Sequence, residues 1–180
     1  MKQSVKIALS GVMAALGTVL MLFQGLAPMA SIAAPAMAGC LLIPVVAEAG
    51  VPWGFGCYGA TAVFVMLLAP DREAALIYLL FFGYYPALFG LLARIRKRPV
   101  RVLSKLLVFN AACIAEALLA LYMLGVPLES ISFLGPFTPL LLLVLANLVF
   151  LVYDFALAGL ISAYFQRLHP RLGKILRGGR

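Results

Sequence analysis

Charged side chains are scarce in this sequence. Only 11% of its 180 residues are charged, whereas 65% are hydrophobic. A soluble domain has about 25% charged and about 45–50% apolar residues, so this composition excludes an ordinary soluble domain. The chain has room for about six membrane spans of roughly 20 residues each, with almost nothing left over. The composition therefore predicts an all-α integral membrane protein.

Residues that commonly carry chemistry are equally few. The single histidine, His169, lies in the basic C-terminal segment, and the three cysteines are scattered through apolar runs without a CxxC pair. This distribution argues against disulfides and against a transition-metal cage. The sequence also lacks a GxxxxGK[ST] loop, an HExxH motif and a plausible Ser–His arrangement. We expect no metal, no cofactor and no enzymatic activity, with acid–base catalysis by Glu116 or Asp154 as the remaining alternative.

Turn signals divide the apolar sequence into six spans, all in one transmembrane domain. The spans are predicted at about residues 6–24, 31–49, 52–69, 73–93, 103–125 and 138–166. With both termini cytoplasmic, all but one of the 14 Lys and Arg residues, Arg72, lie on the inner side of the membrane. Because topology explains the basic residues, we expect the plasma membrane as location, the lipid bilayer as a partner and no nucleic acid. Cleavage of the first span as a signal peptide stays open.

Polar residues recur inside the last two predicted spans. An ionised carboxylate at the membrane centre costs about 2.5–3.5 kcal/mol, so such residues usually face the bundle interior or a wet cavity. If these spans pack antiparallel around a loop centre near residue 131 or 132, residues at equal depth have numbers that sum to about 263. This pairs Asn110 with Asp154 and Glu116 with Asn147. Three roles remain open: interhelical hydrogen bonds, a ligand cavity at Glu116 and Asn147, and proton coupling at Asp154.

Three further expectations concern charge. Glu48, near the inner interface, is predicted to be a solvated helix end, and His169 is expected to lie away from the intramembrane carboxylates. Lys6 and Lys105, at the inner ends of the spans 6–24 and 103–125, are assigned to the inner segments, so no Lys or Arg is expected deeper in the membrane. This arrangement would disfavour a strongly anionic ligand.

The stretch FFGYYPALFG, residues 81–90, interrupts the fourth span. Pro86 cannot donate a backbone hydrogen bond and frees the carbonyl of Phe82, which then needs a new partner in the membrane. The stretch is interpreted as a packed kink or as the floor of a cavity, with Tyr84 or Tyr85 turned toward Glu116 or Asn147. Together with a tyrosine at the outer end of the fifth span, the candidate substrate-binding residues are Glu116, Asn147, Tyr84, Tyr85 and Tyr122.

The first span, VKIALSGVMAALGTVLMLF, resembles the opening helix of the substrate-binding S components of energy-coupling factor (ECF) vitamin transporters. These proteins are similar in size and have six helices, both ends inside and no ATPase of their own. In that family an Ala-x-x-x-Ala pattern on this helix contacts a shared transmembrane coupling subunit. The literal pattern is absent here, but Ser10 with Ala14 and Gly11 with Ala15 have the same spacing of small residues.

The resemblance implies a protein that captures a small molecule, such as a vitamin or another micronutrient, from outside the cell. A transmembrane coupling subunit and ABC-type ATPases would then drive its release inside. The alternative is a non-catalytic membrane scaffold of the rod-shape-determining, cell-envelope type. A scaffold predicts a core filled by protein and no bound ligand.

Overall fold

The computed structural model describes residues 2–24, 32–123 and 138–170, and every regular element in these ranges is helical. Two π-helical turns, Tyr78–Phe82 and Tyr164–Leu168, occur within this framework. The ends of the second and fifth predicted spans lie outside the described residues. The α-helices are α1 (Gln3–Phe23), α2 (Ala33–Cys40), α3 (Leu42–Glu48), α4 (Val51–Leu68), α5 (Arg72–Ile77), α6 (Tyr85–Leu92), α7 (Arg98–Met123) and α8 (Thr138–Ala163).

Five helical segments in the described ranges are long and apolar enough to cross a membrane. They are Gln3–Phe23, Val51–Leu68, Arg72–Leu92, Arg98–Leu119 and Leu140–Leu168. The segment Ala33–Glu48, at the place of the second predicted span, is shorter and is interrupted by a turn at Leu41. Its helical rise is about 24 Å, against a hydrocarbon thickness of about 30 Å. The helical class is therefore confirmed for the described ranges, which hold five segments of spanning length, and the second segment is shorter than a typical span.

Local signals explain where several helices begin. Gly50, before α4, has φ +102°, a conformation that glycine adopts without steric cost, and Pro52 follows in the first turn. This short link joins α3 to α4. Asp71 caps α5, because its side chain accepts hydrogen bonds from the backbone N–H groups of Glu73 at 2.9 Å and Ala74 at 3.2 Å.

The described helices form two compact units. The first comprises residues 2–24, 32–94 and 157–170, and the second comprises residues 95–123 and 138–156. In the first unit, α1 packs against α4 and α2, and α3 packs against α4 and α6. Its core contains many small side chains, including Ala38, Ala62 and Ala75 around the fully buried Met21 and Tyr78. Small residues let the helices of this unit approach one another closely.

The stretch 81–90 lies in the first unit and breaks the helix as Pro86 requires. The π-helical turn Tyr78–Phe82 ends in a two-residue turn, and α6 begins at Tyr85. The hydroxyl of Tyr58 donates a 2.7 Å hydrogen bond to the carbonyl of Leu79 in the π-helical turn. The side chain of Tyr58 thus stabilises the irregular backbone from the neighbouring helix α4.

Gly39 of α2 allows the other close contact with this interruption. A Cβ atom at Gly39 would overlap the carbonyl oxygen of Phe82, whose regular helical donor, the N–H of residue 86, is absent in proline. The backbones of α2 and of the interrupted helix therefore meet without an intervening side chain. The stretch is packed against protein in the first unit.

Candidate functional site

The five predicted substrate-binding residues are divided between the two units. Glu116, Asn147 and Tyr122 belong to the second unit, whereas Tyr84 and Tyr85 belong to the first. Glu116 and Asn147 are half-buried, and Tyr122 is 85% exposed.

The two adjacent tyrosines of the first unit have different surroundings. Tyr85 is fully buried, and its ring lies 4.7 Å from that of Phe81 between centroids. Tyr84 is half-buried, and its ring meets that of Tyr58 edge-on at 5.8 Å. Tyr85 is therefore the tyrosine that faces the core of its unit, and Tyr84 extends the aromatic contacts around Tyr58.

A row of polar contacts joins α7 to α8 in the second unit; we call Lys105, Asp154, Asn110 and Asn147 the polar seam. The Lys105 amine donates to both carboxylate oxygens of Asp154, at 2.7 and 2.9 Å. The side chains of this ion pair are 9% and 23% exposed. The Asn110 and Asn147 side chains each donate to the other's amide oxygen at 2.9 Å. The seam therefore lets the two helices satisfy polar groups that lipid could not.

The pairing across the seam differs from the sequence-based prediction. Asn110 pairs with Asn147 instead of Asp154, and Asp154 pairs with Lys105, so the predicted pairs are wrong. The numbers of the contacting residues sum to 257 and 259, and Phe109 stacked on Phe150 at 4.5 Å also gives 259. Relative to the predicted sum, α8 is displaced along α7 by about 6–9 Å. The ion-pair, ring and amide contacts determine this register. The midpoint of the connecting segment does not determine it.

Lys105 was expected in the inner segment but lies inside the segment Arg98–Leu119, where it is buried. A cation is therefore paired with the carboxylate of the sixth predicted span, which the assignment of Lys105 to the inner segment does not anticipate. The sequence does contain a signal for the Lys105–Asp154 pair. An acid in the sixth span needs a partner in the membrane, and Lys105 lies on the fifth span about one and a half helical turns before the polar residue Asn110.

A second group of polar side chains, the Glu48 cluster of Glu48, Tyr164 and His169, lies in the first unit. One carboxylate oxygen of Glu48 accepts a 3.0 Å hydrogen bond from the Tyr164 hydroxyl and lies 2.7 Å from Nδ1 of His169. The Glu48 side chain is only 5% exposed. Both expectations for these residues are wrong, because the π-helical turn Tyr164–Leu168 continues α8 and brings His169 to α3.

An apolar pocket of about 290 Å³ lies in the same unit. Its walls come from α3, α6, the end of α8 and the π-helical turn that follows α8. They include Val46, Ala47, Phe89, Gly90, Ile161 and Phe165. The ring of Phe165 also contacts His169, at 5.3 Å between centroids, so the pocket adjoins the Glu48 cluster. Within the described ranges, no three His, Cys, Asp or Glu side chains are grouped to hold a metal ion.

The four small residues of α1 point in two directions. Ala14 is buried against Leu42, Val45 and Cys57, and the Ser10 carbonyl accepts a hydrogen bond from the Cys57 thiol at 3.4 Å. Gly11 and Ala15, by contrast, are exposed. A Cβ atom at Gly11 would have no described neighbour within 4 Å. The structure therefore assigns Ser10 and Ala14 to internal packing, and leaves Gly11 and Ala15 on the outer face of α1.

The amide pair of the seam allows a direct measurement of what a polar contact contributes here. We expect Asn110→Leu and Asn147→Leu each to lower the free energy of unfolding, and the double variant to lose less than the sum of the two. The coupling energy should be about 0.6 kcal/mol and at most about 1.7 kcal/mol, as for other interhelical hydrogen bonds in membranes. A double-mutant cycle of unfolding in mixed micelles gives this value. Additive losses would show that the two amides do not interact.

Long apolar helices, together with an ion pair enclosed between two of them, indicate a multi-pass helical membrane protein. The chain matches no protein-family model, no curated protein and no solved structure. The support for any function therefore comes from the contacts of its own residues.

Proposed function

We propose that the protein is the membrane-embedded substrate-capture subunit of an ECF-type importer, with ATP hydrolysis supplied by partner subunits. The observation that supports this most is the outer face of α1, where Gly11 and Ala15 are exposed. Helices associate in membranes through small residues that allow close backbone approach. The second small-residue pair, Ser10 and Ala14, packs inside the first unit. A helix with one small-residue pair facing inward and another exposed is suited to packing against its own unit on one face and against a partner protein on the other. The outer face would receive a transmembrane coupling subunit.

The proposed substrate contacts are Glu116 and Tyr122, which are fewer than the residues predicted from the sequence. Tyr85 is fully buried in the core of the first unit, and Asn147 is engaged by Asn110. Glu116 and Tyr122 lie toward the end of α7 that is remote from its basic start at Arg98. With both termini cytoplasmic, this end faces outside, where a substrate would enter. A carboxylate there suits a neutral or cationic small molecule.

We expect Gly11→Leu to reduce recovery of the coupling subunit and the ATPases on the order of tenfold, because the added side chain would separate the two helices. The measurement is affinity purification from the native membrane followed by mass spectrometry of the bound proteins. Gly159→Leu is the matched control, since Gly159 on α8 is also exposed and has no described neighbour within 4 Å of its Cβ position. It should leave recovery unchanged.

Two results would contradict this proposal. Unchanged recovery of these subunits with Gly11→Leu would show that the exposed face of α1 does not bind the coupling subunit. A wild-type preparation without any coupling subunit or ATPase would contradict the importer function.

A membrane scaffold of the cell-envelope type is the second candidate, and the polar seam favours it. Lys105 is bonded to Asp154 and Asn110 to Asn147, so these intramembrane polar groups are engaged without any ligand. A scaffold predicts that the wild-type protein recovers cell-wall enzymes and carries no small molecule. The same purification distinguishes the two candidates by the identity of the bound subunits.

A further inference from the structure

We propose that the apolar pocket of the first unit holds an acyl chain of an anionic phospholipid from the cytoplasmic leaflet. This binding site does not depend on the proposed transport function. Three features support it: the chemistry of the pocket walls, the position of the pocket along the helices, and the charges at that end of the unit.

The walls favour hydrocarbon over a polar ligand. Every lining side chain is apolar, including those of Val46, Phe89 and Phe165. Transfer of a hydrocarbon chain from water to such a surface is favourable in free energy, whereas a ligand rich in polar groups would lose its hydrogen bonds to water there. The volume of about 290 Å³ is just below the range for small-molecule pockets, roughly 300–1,000 Å³. A slender chain therefore suits this pocket better than a polar ring compound.

The pocket lies near the ends of two long apolar segments. The lining residue Gly90 is at the end of Arg72–Leu92 and Ala93 directly follows it. Ile161 and Phe165 are in the last turns of Leu140–Leu168. Such positions are close to the boundary between hydrocarbon and head groups. A chain in the pocket could therefore keep its head group at the membrane surface.

The charges at this end suit an anionic head group. Arg94 directly follows the lining residue Ala93, and Arg167 is two residues beyond Phe165; both are exposed. The acid at this end, Glu48, is buried and engaged by Tyr164 and His169. Basic residues between helices on the cytoplasmic side are typical of sites for anionic lipid head groups. The positive-inside rule places this end in the cytoplasmic leaflet.

The test compares phosphatidylglycerol with phosphatidylcholine of identical chains, each added to delipidated protein in detergent and counted by native mass spectrometry. We expect the wild type to retain one phosphatidylglycerol molecule with about tenfold higher affinity than phosphatidylcholine. Gly90→Leu should lower retention of both lipids about tenfold. Its Cβ would make only ordinary contacts, 3.7 Å to Val46 and 3.8 Å to Val51, and the remaining carbons would occupy the pocket. The matched control is Gly56→Leu, at an exposed position in α4 with no described neighbour within 4 Å.

Ala93→Leu, at an exposed position on the pocket wall, provides the same test if Gly90→Leu does not fold. The variant Arg94→Gln with Arg167→Gln should abolish the preference for phosphatidylglycerol while retention of phosphatidylcholine is unchanged. Equal retention of the two lipids by the wild type would contradict the proposed preference for an anionic head group. Retention by both pocket variants equal to that of Gly56→Leu would overturn the site itself.

Discussion

Lys105→Met is expected to lower the free energy of unfolding by about 3–5 kcal/mol, because it leaves the Asp154 carboxylate inside the helix pair without its lysine. The amine is 2.7 Å from one carboxylate oxygen and 2.9 Å from the other, and the lysine side chain is only 9% exposed. Little of this interaction is screened by water, in contrast to an exposed ion pair. Unfolding by sodium dodecyl sulfate in mixed micelles, followed by circular dichroism, measures the change.

The double variant Lys105→Met with Asp154→Leu distinguishes the cost of a carboxylate that has lost its lysine from the contribution of the pair. Replacing both partners of a buried ion pair by apolar residues is often neutral or stabilising, so we expect the double variant to recover most of the loss. Lys97→Met is the control, since Lys97 is exposed and precedes α7; it should change stability by less than about 0.5 kcal/mol. A double variant as unstable as Lys105→Met would contradict this account.

The helical class could be predicted because it depends only on the length and apolarity of each segment. The interruption at residues 81–90 could also be predicted, since Pro86 prevents a regular hydrogen bond wherever the chain lies. The π-helical turn Tyr78–Phe82 could not, because YLLFF is an ordinary apolar helical sequence. The bond from Tyr58 to Leu79 that stabilises this turn connects residues 21 apart and depends on tertiary packing.

The polar contacts were harder to predict than the helices that carry them. The sequence identifies Asn110, Asn147 and Asp154 as residues that need partners in the membrane. The choice of partner depends on how far α8 slides along α7, and the sequence offers several registers that place an amide near an acid. The contact of Glu48 with His169 spans 121 residues and requires α8 to continue through its π-helical turn. Such pairings follow from the packed structure.

Gly39→Ala is expected to lower the free energy of unfolding by about 2–3 kcal/mol, as overpacking of a tight core contact does. A Cβ at residue 39 would overlap the carbonyl oxygen of Phe82 and lie 3.0 Å from the carbonyl carbon, both backbone atoms that no rotamer change can move. Gly56→Ala in α4 is the control, since a Cβ there meets no described atom within 4 Å. It should be neutral or stabilising by up to about 1 kcal/mol, because alanine favours helix.

Pro86 determines how the Gly39 contact can be relieved. Proline at 86 removes the backbone donor that would bind the Phe82 carbonyl within a regular helix. Pro86→Ala restores this donor, and a regular hydrogen bond would draw the carbonyl toward its own helix axis and away from α2. We therefore expect Pro86→Ala to recover part of the stability lost by Gly39→Ala, measured by the same unfolding titration of all three variants. If Gly39→Ala were as stable as Gly56→Ala, the backbones of α2 and the interrupted helix would not be in direct contact. If Pro86→Ala only added its own loss of stability, the position of the Phe82 carbonyl would not depend on the missing donor at residue 86.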